Sequence, residues 1–463
     1  MTAPAVSEVV PRKPFGWRFT APLLLGSTLN PINTSMIATA LVGIGSYLHA
    51  GPQATTSLIS VLYLCSAIAQ PTMGKLSTLF GPRRIFLIGV GILLSAGVIG
   101  AAAPSFGFLL VSRALIGIGT SAAYPTAMAL VRKRADALGT GVPSRVLGNF
   151  SIAAQVTAVV GLPLGGVLVG AFGWRAIFAV NIPLAIISIV LTFVGVTKDQ
   201  PIAHAGRESL LTALDIPGIV LFAGTISSLL LFLSNLEAPA WWLAGLFVLL
   251  ATALFFRERR TSRPLIDVRM LGKNLPLQRT YLRVMLVALA TYAVLYGASQ
   301  WMEQSKGLGA STVGLIMIPL SGLSIVAARV VSGRGWVRWP LILSGAALVA
   351  AACVMLLITH QSNILVLIGM TLLLGLTNGL GGFGNQATLY MQAPAEDIAV
   401  ASGLFRTAGY LGSILSSSLI GIVFGSGATD SGFHALAWVL GGIGLVVVLL
   451  AVLDRSIPQL ARK

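Results

Sequence analysis

The segment GKLSTLFGPRRIFLIGVGILLSAGVIGAAA (74–103) joins a charged, glycine-rich loop to an unbroken apolar run. The run from Ile85 to Ala103 contains no charged residue, and a helix that crosses a bilayer needs about 20 mostly apolar residues. A strand of a membrane β-barrel would instead alternate apolar and polar residues. The segment therefore predicts a transmembrane α-helix that begins beside a basic loop.

The rest of the chain has the composition of a membrane protein. Of its 463 residues 56% are hydrophobic and 9% charged, whereas a soluble domain is roughly a quarter charged. This balance excludes a soluble enzyme, a nucleic-acid-binding domain and a disordered protein. We predict an all-α polytopic membrane protein with about fourteen transmembrane helices, at 17–48, 55–73, 84–103, 107–131, 145–170, 174–196, 215–234, 240–256, 279–302, 311–331, 338–358, 363–389, 397–424 and 433–453.

Basic residues predict how these helices are oriented. The formal charge is +17, and Lys and Arg concentrate in alternate loops, while the intervening loops offer Arg175 and Lys306. Cytoplasmic loops carry an excess of Lys and Arg, so we expect a multi-pass protein of the cytoplasmic (inner) membrane with both termini in the cytoplasm. That requires an even number of helices, which twelve would also satisfy if 215–256 formed a hairpin that does not cross. The lipid bilayer, rather than nucleic acid, is the expected partner of this charge.

A weak internal repeat suggests a duplicated architecture. GKLSTLFGPRR (74–84) follows the second predicted helix, and ARVVSGRGWVR (328–338) follows the second helix after a long basic loop. Transporters are commonly built from such repeats, with the substrate site at their interface. We therefore predict a cytoplasmic tail (1–16), a six-helix bundle (17–196), a linker with two extra transmembrane helices (197–278), a second six-helix bundle (279–453) and a cytoplasmic tail (454–463).

Several motifs together resemble one family. GKLSTLFGPRR is similar to the signature loop of the major facilitator superfamily, and SRALIGIGTSAAYPT (112–126) is similar to its fourth-helix motif. PINTSMIATAL (31–41), QVTAVVGLPLGGVLVGAFGWR (155–175) and GNQATLYMQAPAEDIAVASGLFRTAGYLGS (384–413) resemble segments of its fourteen-helix drug:proton antiporters. Asn33 and Thr78 stand where members commonly have Asp. The resemblance implies conformational roles for Gly74, Gly81, Arg83, Arg84, Gly117, Gly161, Pro163, Gly165 and Gly166.

Arg113 is a charged residue inside a predicted transmembrane helix. Such a charge costs at least about 2.5–3.5 kcal/mol at the bilayer centre, so it is a candidate functional group. It shares one helical face with Gly117, Thr120 and Tyr124, which leave room for a ligand near the guanidinium. The alternative is a buried arginine that only ties helices together through backbone carbonyls.

Polar side chains follow single faces of several predicted helices. Amides and tyrosines that faced lipid would be costly, so these faces should line a cavity or join helices by hydrogen bonds. Glu303 is the acidic residue nearest to the predicted cavity, toward its outer end. The candidate cavity or coupling residues are Asn30, Asn33, Arg113, Tyr124, Gln155, Asn181, Tyr292, Tyr296, Gln300, Glu303, Asn378, Asn385 and Tyr390.

These observations favour a secondary active transporter that exports small amphiphilic compounds by alternating access. The expected drive is the proton gradient, with Glu303, or competition between substrate and proton near Arg113, as the coupling site. The alternatives are a facilitator or uptake carrier for a neutral or anionic solute and, from another class, a membrane-embedded enzyme. We find no cluster of nucleophile, base or metal ligands for an enzyme, and we expect no cofactor, no metal and a monomer.

Overall fold

A computed structural model describes residues 15–50, 52–199, 215–233, 239–261, 264–425 and 427–459. Every element of four or more residues in these ranges is an α-helix. The helices are α1 (Trp17–Met36), α2 (Leu41–Leu48), α3 (Pro52–Phe80), α4 (Pro82–Ala101), α5 (Phe106–Ser121), α6 (Ala123–Ala137), α7 (Ser144–Phe172), α8 (Ala176–Ala179), α9 (Asn181–Gly195), α10 (Ile216–Leu233), α11 (Trp241–Arg260), α12 (Val268–Lys273), α13 (Leu275–Gln304), α14 (Ala310–Arg334), α15 (Arg338–Leu357), α16 (Ile364–Gln392), α17 (Ile398–Phe424) and α18 (Asp430–Leu453).

The all-helical membrane fold predicted from sequence is confirmed. Within the described ranges, 12 helical segments are long and apolar enough to cross a membrane. The two further predicted segments correspond to α1 and α7, helices of 20 and 29 residues that this count does not include. The number fourteen is therefore approximate.

Three predicted continuous helices are interrupted. Segment 17–48 consists of α1, a 3-10 turn (Ile37–Thr39) and α2, while segments 107–131 and 174–196 break at Ala122 and Val180. Hydroxyl groups bond to the preceding turn at the first two breaks: Thr39 Oγ1 donates to the Met36 carbonyl at 2.8 Å, and Ser121 Oγ donates to the Gly117 carbonyl at 2.6 Å. Such hydrogen bonds compete with the backbone hydrogen bonds of the helix and bend it. Hydropathy does not register them, so it could not predict these breaks.

The helices form two groups that meet along two seams. Helices α1–α9 pack on one another, as do α13–α18, and the groups join where α3 meets α17 and where α7 meets α14. The inserted helices α10 and α11 pack together, and α10 covers α3 and α17 through Phe222, Ile226 and Leu230. The inserted pair thus lies outside the seam. The domain boundaries proposed from sequence stay predictions.

Two ends of the molecule are distinguished by charge. We call the end with Lys75, Arg84 and Arg338 the basic end, and the end with Arg175 and Lys306 the opposite end. Several predictions concern residues outside the described ranges: the N-terminal tail over 1–14, the loop 200–214, Glu237 and the end of the C-terminal tail, 460–463. The predicted C-terminal tail is not free of the bundle where it is described, because the Gln459 carbonyl accepts from the Val337 amide at 3.1 Å.

Candidate functional site

The two bundles are in tight contact at the basic end. A Cβ added to Gly74 of α3 would lie 2.6 Å from the carbonyl oxygen of Ala399, at the start of α17. Gly403, one turn further along α17, is equally close to the backbone of α3. Across the other seam, the Tyr390 hydroxyl of α16 donates to the Met128 carbonyl of α6. Tyr390, predicted to line a cavity, therefore fastens the bundles together.

The signature loop is held by an acid that the motif does not contain. Gly81 has φ +94°, a conformation that favours glycine, and a Cβ there would meet the Asp199 carboxylate at 2.4 Å. That carboxylate accepts from the Arg84 backbone amide at 2.8 Å, at the beginning of α4. Arg83 is buried with its guanidinium over the Phe193 ring, at 5.1 Å from the centroid. The loop thus fixes α4 against the end of α9.

A second acid lies across the basic-end seam. Asp397 directly precedes α17 and lines one cavity together with Lys75 and Thr78 of α3. Burial raises the pKa of the Asp397 carboxyl, nearby Glu396 and Asp267 raise it further, and Lys75 opposes them. The signature loop therefore meets a carboxyl of the other bundle although its own usual Asp is replaced by Thr78.

Asn30 joins the two bundles near the middle of the seam. Its Nδ2 donates to the hydroxyls of Ser66 at 2.9 Å and Thr120 at 2.8 Å, while its Oδ1 accepts from the Tyr410 hydroxyl at 2.7 Å. The first two partners lie on α3 and α5, and Tyr410 belongs to α17 of the other bundle. Gln70 donates to the same hydroxyl at 3.3 Å. One predicted residue thus connects four helices, through a tyrosine that the sequence analysis missed.

Asn33 and Asn181 form a closed pair inside the first bundle. Asn33 Nδ2 donates to Asn181 Oδ1 at 2.6 Å, and Asn181 Nδ2 donates to Asn33 Oδ1 at 2.9 Å. Both side chains are buried; Asn33 also donates to the Leu29 carbonyl of its own helix, and Asn181 to the Ile177 carbonyl of α8. The position that is commonly acidic in the family is therefore an interhelical amide bond in this chain.

Arg113 is also inside the first bundle. Its side chain is fully buried, with Nε donating to the Leu58 carbonyl at 3.0 Å and Nη1 to the Asn33 carbonyl at 3.2 Å. Nη2 has no hydrogen-bond partner among the described residues. Nearby Gly117 packs against the backbone of α3, where a Cβ would lie 2.9 Å from the Leu62 carbonyl oxygen. These contacts fit the structural alternative considered for Arg113.

A different arginine lies on the seam. Arg406 of α17 places its guanidinium 3.9 Å from the centroid of the Tyr124 ring, which belongs to α6 of the first bundle. Tyr124 is buried, stacks with Phe405 and meets Phe150 edge-on. The signal was present in the sequence: Arg406 is the charged residue in the 27-residue apolar segment 398–424.

Tyrosines from both bundles cluster beside this arginine. The rings of Tyr292 and Tyr296 stack at 5.8 Å on α13, and Tyr63 of α3 lies 5.7 Å from Tyr410. Tyr63 is also within electrostatic range of Tyr292 and Tyr296, across the seam. Tyr296 is 47% exposed, and Glu303 near the end of α13 is exposed as well. The structure thus brings the predicted tyrosine face to the seam, with Gln300 half-buried and Glu303 at the opposite end.

Asn378 and Asn385, two further predicted amides, form hydrogen bonds between helices of the second bundle. Thr291 donates to Asn378 Oδ1 at 2.5 Å, and Arg283 Nε donates to Asn385 Oδ1 at 3.0 Å. Arg283 is fully buried and 3.6 Å from the Asp454 carboxylate. Asp454, predicted to begin the C-terminal tail, is instead buried, where its carboxylate neutralises this arginine.

The glycines of α7 to which the resemblance assigns conformational roles differ in how closely they are packed. A Cβ on Gly161 would lie 2.0 Å from Ser35 Oγ, and one on Gly165 would lie 2.7 Å from Thr39 Oγ1, so both allow α7 to approach α1. Gly166 has no atom within 4 Å of such a Cβ. The side chains of Gln155 and Pro163 lie outside the described part of the structure.

Asp215 and Glu258 are both buried at the basic end of the inserted pair. Arg257 donates to Asp215 at 2.6 Å, and Glu258 is 1% exposed with Oε2 accepting from the Ile266 amide at 3.3 Å. Burial raises the pKa of the Asp215 carboxyl, but hydrogen bonds from Arg257, Gly218 and Leu265 outweigh it and hold the pKa below its usual value. This cluster fixes the segment after α11. Within the described residues, no group of His, Cys, Asp and Glu could hold a metal ion.

Similarity to known proteins extends over almost the whole chain. A sequence profile described as Major Facilitator Superfamily matches residues 23–417. The uncharacterized MFS-type transporter YwoD of Bacillus subtilis (strain 168) is 37% identical over 449 residues, covering 96% of this chain and 98% of that protein. The tetracenomycin C resistance and export protein of Streptomyces glaucescens is 28% identical over 426 residues, covering 89% and 77%. The crystal structure of the human organic anion transporter MFSD10 (TETRAN) matches with a TM-score of 0.68 at 15% identity, covering 94% of this chain and 99% of that one; this likeness concerns the fold alone.

Proposed function

The chain belongs to the Major Facilitator Superfamily of membrane transporters, and on that premise we propose that it exports small amphiphilic compounds by alternating access. The observation that carries the proposal is the hydrogen bond from Tyr410 to Asn30, which joins the two bundles beside a group of tyrosines. A substrate among these rings would compete with the contact that holds the bundles together. Its binding would then be linked to their relative movement.

Export is the direction favoured by the relatives and by the geometry. The relative from Streptomyces glaucescens is named as an export protein. The contacts at Gly74 and Tyr390 close the basic end, while Tyr296, in the half of α13 nearer the opposite end, is 47% exposed. If the basic end is cytoplasmic, as the distribution of Lys and Arg predicts, this conformation is the one that releases substrate outside.

We further infer membership of the fourteen-helix drug:proton antiporters, with the proton gradient as the driving force. The fourteen predicted segments, each helical over most of its described length, support the first inference. Glu303 supports the second, because it is an accessible carboxylate on the helix that carries Tyr292 and Tyr296. In this proposal the protein is a monomer of the cytoplasmic membrane.

The test is export of the neutral amphiphile N-phenyl-1-naphthylamine by proteoliposomes. We expect movement of the probe that requires a pH gradient and that falls about tenfold in Tyr410→Phe, which lacks the hydroxyl that Asn30 accepts from. Tyr47→Phe is the matched control, because Tyr47 is 59% exposed and its ring packs on Trp174 of its own bundle.

Glu303→Gln separates coupling from transport. If Glu303 carries the proton, this variant should still exchange the probe between the two sides but should no longer respond to the pH gradient. Probe movement that ignores the gradient in the unmodified protein would contradict proton coupling and indicate a facilitator. No movement of this or other amphiphiles would contradict the export proposal.

A further inference from the structure

Arg406 is a positive charge at membrane depth that has no carboxylate partner within the part of the chain that the structure describes. It lies eight residues after the start of α17, which is about 12 Å along the helix axis. The ion pairs of the described residues join Arg132, Arg257, Arg279, Arg283 and His360 to carboxylates, and Arg406 is not among them. A charge inside the membrane normally pairs with an opposite charge or marks a ligand site.

Two buried polar atoms at the Arg406–Tyr124 contact lack a hydrogen-bond partner among the described residues. Its Nε is buried and has no hydrogen-bond partner among the described residues, and the same holds for the hydroxyl of Tyr124, whose ring lies under the guanidinium. Buried polar atoms in proteins nearly always find a partner. Two orphaned donors side by side, on opposite sides of the seam, therefore indicate that a group from outside the chain completes them.

The surroundings define what kind of molecule fits. Tyr124 and Phe405 present stacked aromatic faces beside the guanidinium, and Tyr410 lies one turn after Arg406 on the same face of α17. The planar guanidinium binds a carboxylate through two parallel hydrogen bonds, and its charge is worth more away from water. We propose that the substrates are aromatic amphiphiles with an acidic group, which Arg406 and the Tyr124 hydroxyl bind while the ring stacks on the neighbouring tyrosines.

This inference rests on the proposed function and names its substrate class. It also assigns the cavity charge to Arg406 rather than to Arg113, whose Nε and Nη1 are already used by backbone carbonyls. A permanent cation would be repelled from the site. The protein should therefore discriminate among ligands of one shape by their charge.

The experiment compares three ligands that share one ring system but differ in charge. Binding of 2-naphthoate, 2-naphthamide and 2-naphthylmethylammonium is measured by calorimetry on the full-length protein in lipid nanodiscs. Sodium acetate tests whether the acidic group alone suffices. We expect naphthoate to bind at least about tenfold more tightly than naphthamide, and the ammonium and acetate to bind more weakly still.

Variants assign that preference to Arg406. Arg406→Gln should weaken naphthoate binding about tenfold and change naphthamide binding by less than about twofold, and Arg406→Lys should recover part of the loss. Arg259→Gln is the matched control, since it removes an exposed guanidinium that lies 5.4 Å from the Phe255 ring on the inserted pair. Binding is compared only among variants whose melting temperature equals that of the unmodified protein.

Three results would overturn the inference: equal affinity of the unmodified protein for the ammonium and the naphthoate, unchanged naphthoate binding in Arg406→Gln, or an equal loss for naphthoate and naphthamide. The first comparison needs no variant, so it stands even if a substitution prevents folding. The binding experiment in nanodiscs uses no gradient and does not depend on transport. Naphthoate binding without export of any probe would therefore contradict only the transport proposal. Export of N-phenyl-1-naphthylamine by a protein that binds naphthoate no more tightly than naphthamide would contradict only the inference about acidic substrates.

Discussion

At the scale of single residues, polar side chains inside this membrane protein divide into satisfied and unsatisfied groups. The Asn33–Asn181 pair exchanges two hydrogen bonds and is closed to any ligand, whereas Arg406 and Tyr124 leave donors free on the seam. The difference separates residues that hold the fold from those available to a substrate, although all of them are polar residues at membrane depth.

The amide pair predicts a measurable coupling. Asn33→Ala and Asn181→Ala should each lower the free energy of unfolding, and the double variant should lose less than their sum, by about 0.6–1.7 kcal/mol. Unfolding in detergent measures the cycle. Asn33→Ala combined with Asn378→Ala, which lies in the other bundle, is the control and should show additive losses. An uncoupled Asn33–Asn181 cycle would show that the pair contributes nothing beyond its separate backbone contacts.

Arg113 gives a second prediction at this scale. Arg113→Lys keeps the charge, but a lysine ammonium cannot reproduce the geometry in which Nε donates to the Leu58 carbonyl and Nη1 donates to the Asn33 carbonyl. We expect the melting temperature and the transport of N-phenyl-1-naphthylamine to fall together. Transport is measured per correctly inserted molecule, with binding of the same probe at two pH values. Loss of transport at an unchanged melting temperature would instead assign Arg113 to substrate or proton binding.

At the scale of helices, glycines determine how closely the bundles approach. Gly74→Ala would place a methyl group 2.6 Å from the Ala399 carbonyl oxygen and 2.9 Å from Val400 Cα, which are backbone atoms that cannot move aside. We expect the substitution to separate α3 from the start of α17 and to disfavour the conformation closed at the basic end. Gly91→Ala on α4, where no atom lies within 4 Å, is the matched control.

Pulsed electron resonance between spin labels detects this separation. Labels at the exposed positions Thr140 and Glu396, one in each bundle, are introduced after Cys65 and Cys353 are replaced by Ser. The distance distribution should shift to longer values in Gly74→Ala and remain as it is in Gly91→Ala. If the two glycine variants give the same distribution, the contact at Gly74 does not control closure.

At the scale of the whole molecule, the distribution of basic residues predicts orientation. Thr140→Cys, in the basic loop between α6 and α7, should react with an impermeant maleimide only after cells are permeabilised. Gln361→Cys, between α15 and α16 at the opposite end, should react in intact cells. Both are made in the background that lacks Cys65 and Cys353. The reverse pattern would invert the topology, and with it the direction of transport inferred from the closed basic end.

The sequence by itself determined the fold class, the helical segments and the family, because apolar run length and loop charge are local properties that the membrane imposes directly. It also selected Asn30, the Tyr292–Tyr296 face and the Gly74 loop as important. Only the tertiary structure decided which polar residues face one another. Arg113 and Arg406 are both lone arginines in apolar helices, and hydropathy treats them alike. Arg113 donates from Nε and Nη1 to carbonyls of its own bundle, whereas Arg406 meets an aromatic ring of the opposite bundle. The difference arises because the pairing of helices far apart in the chain is fixed by packing across the seam and not by local sequence.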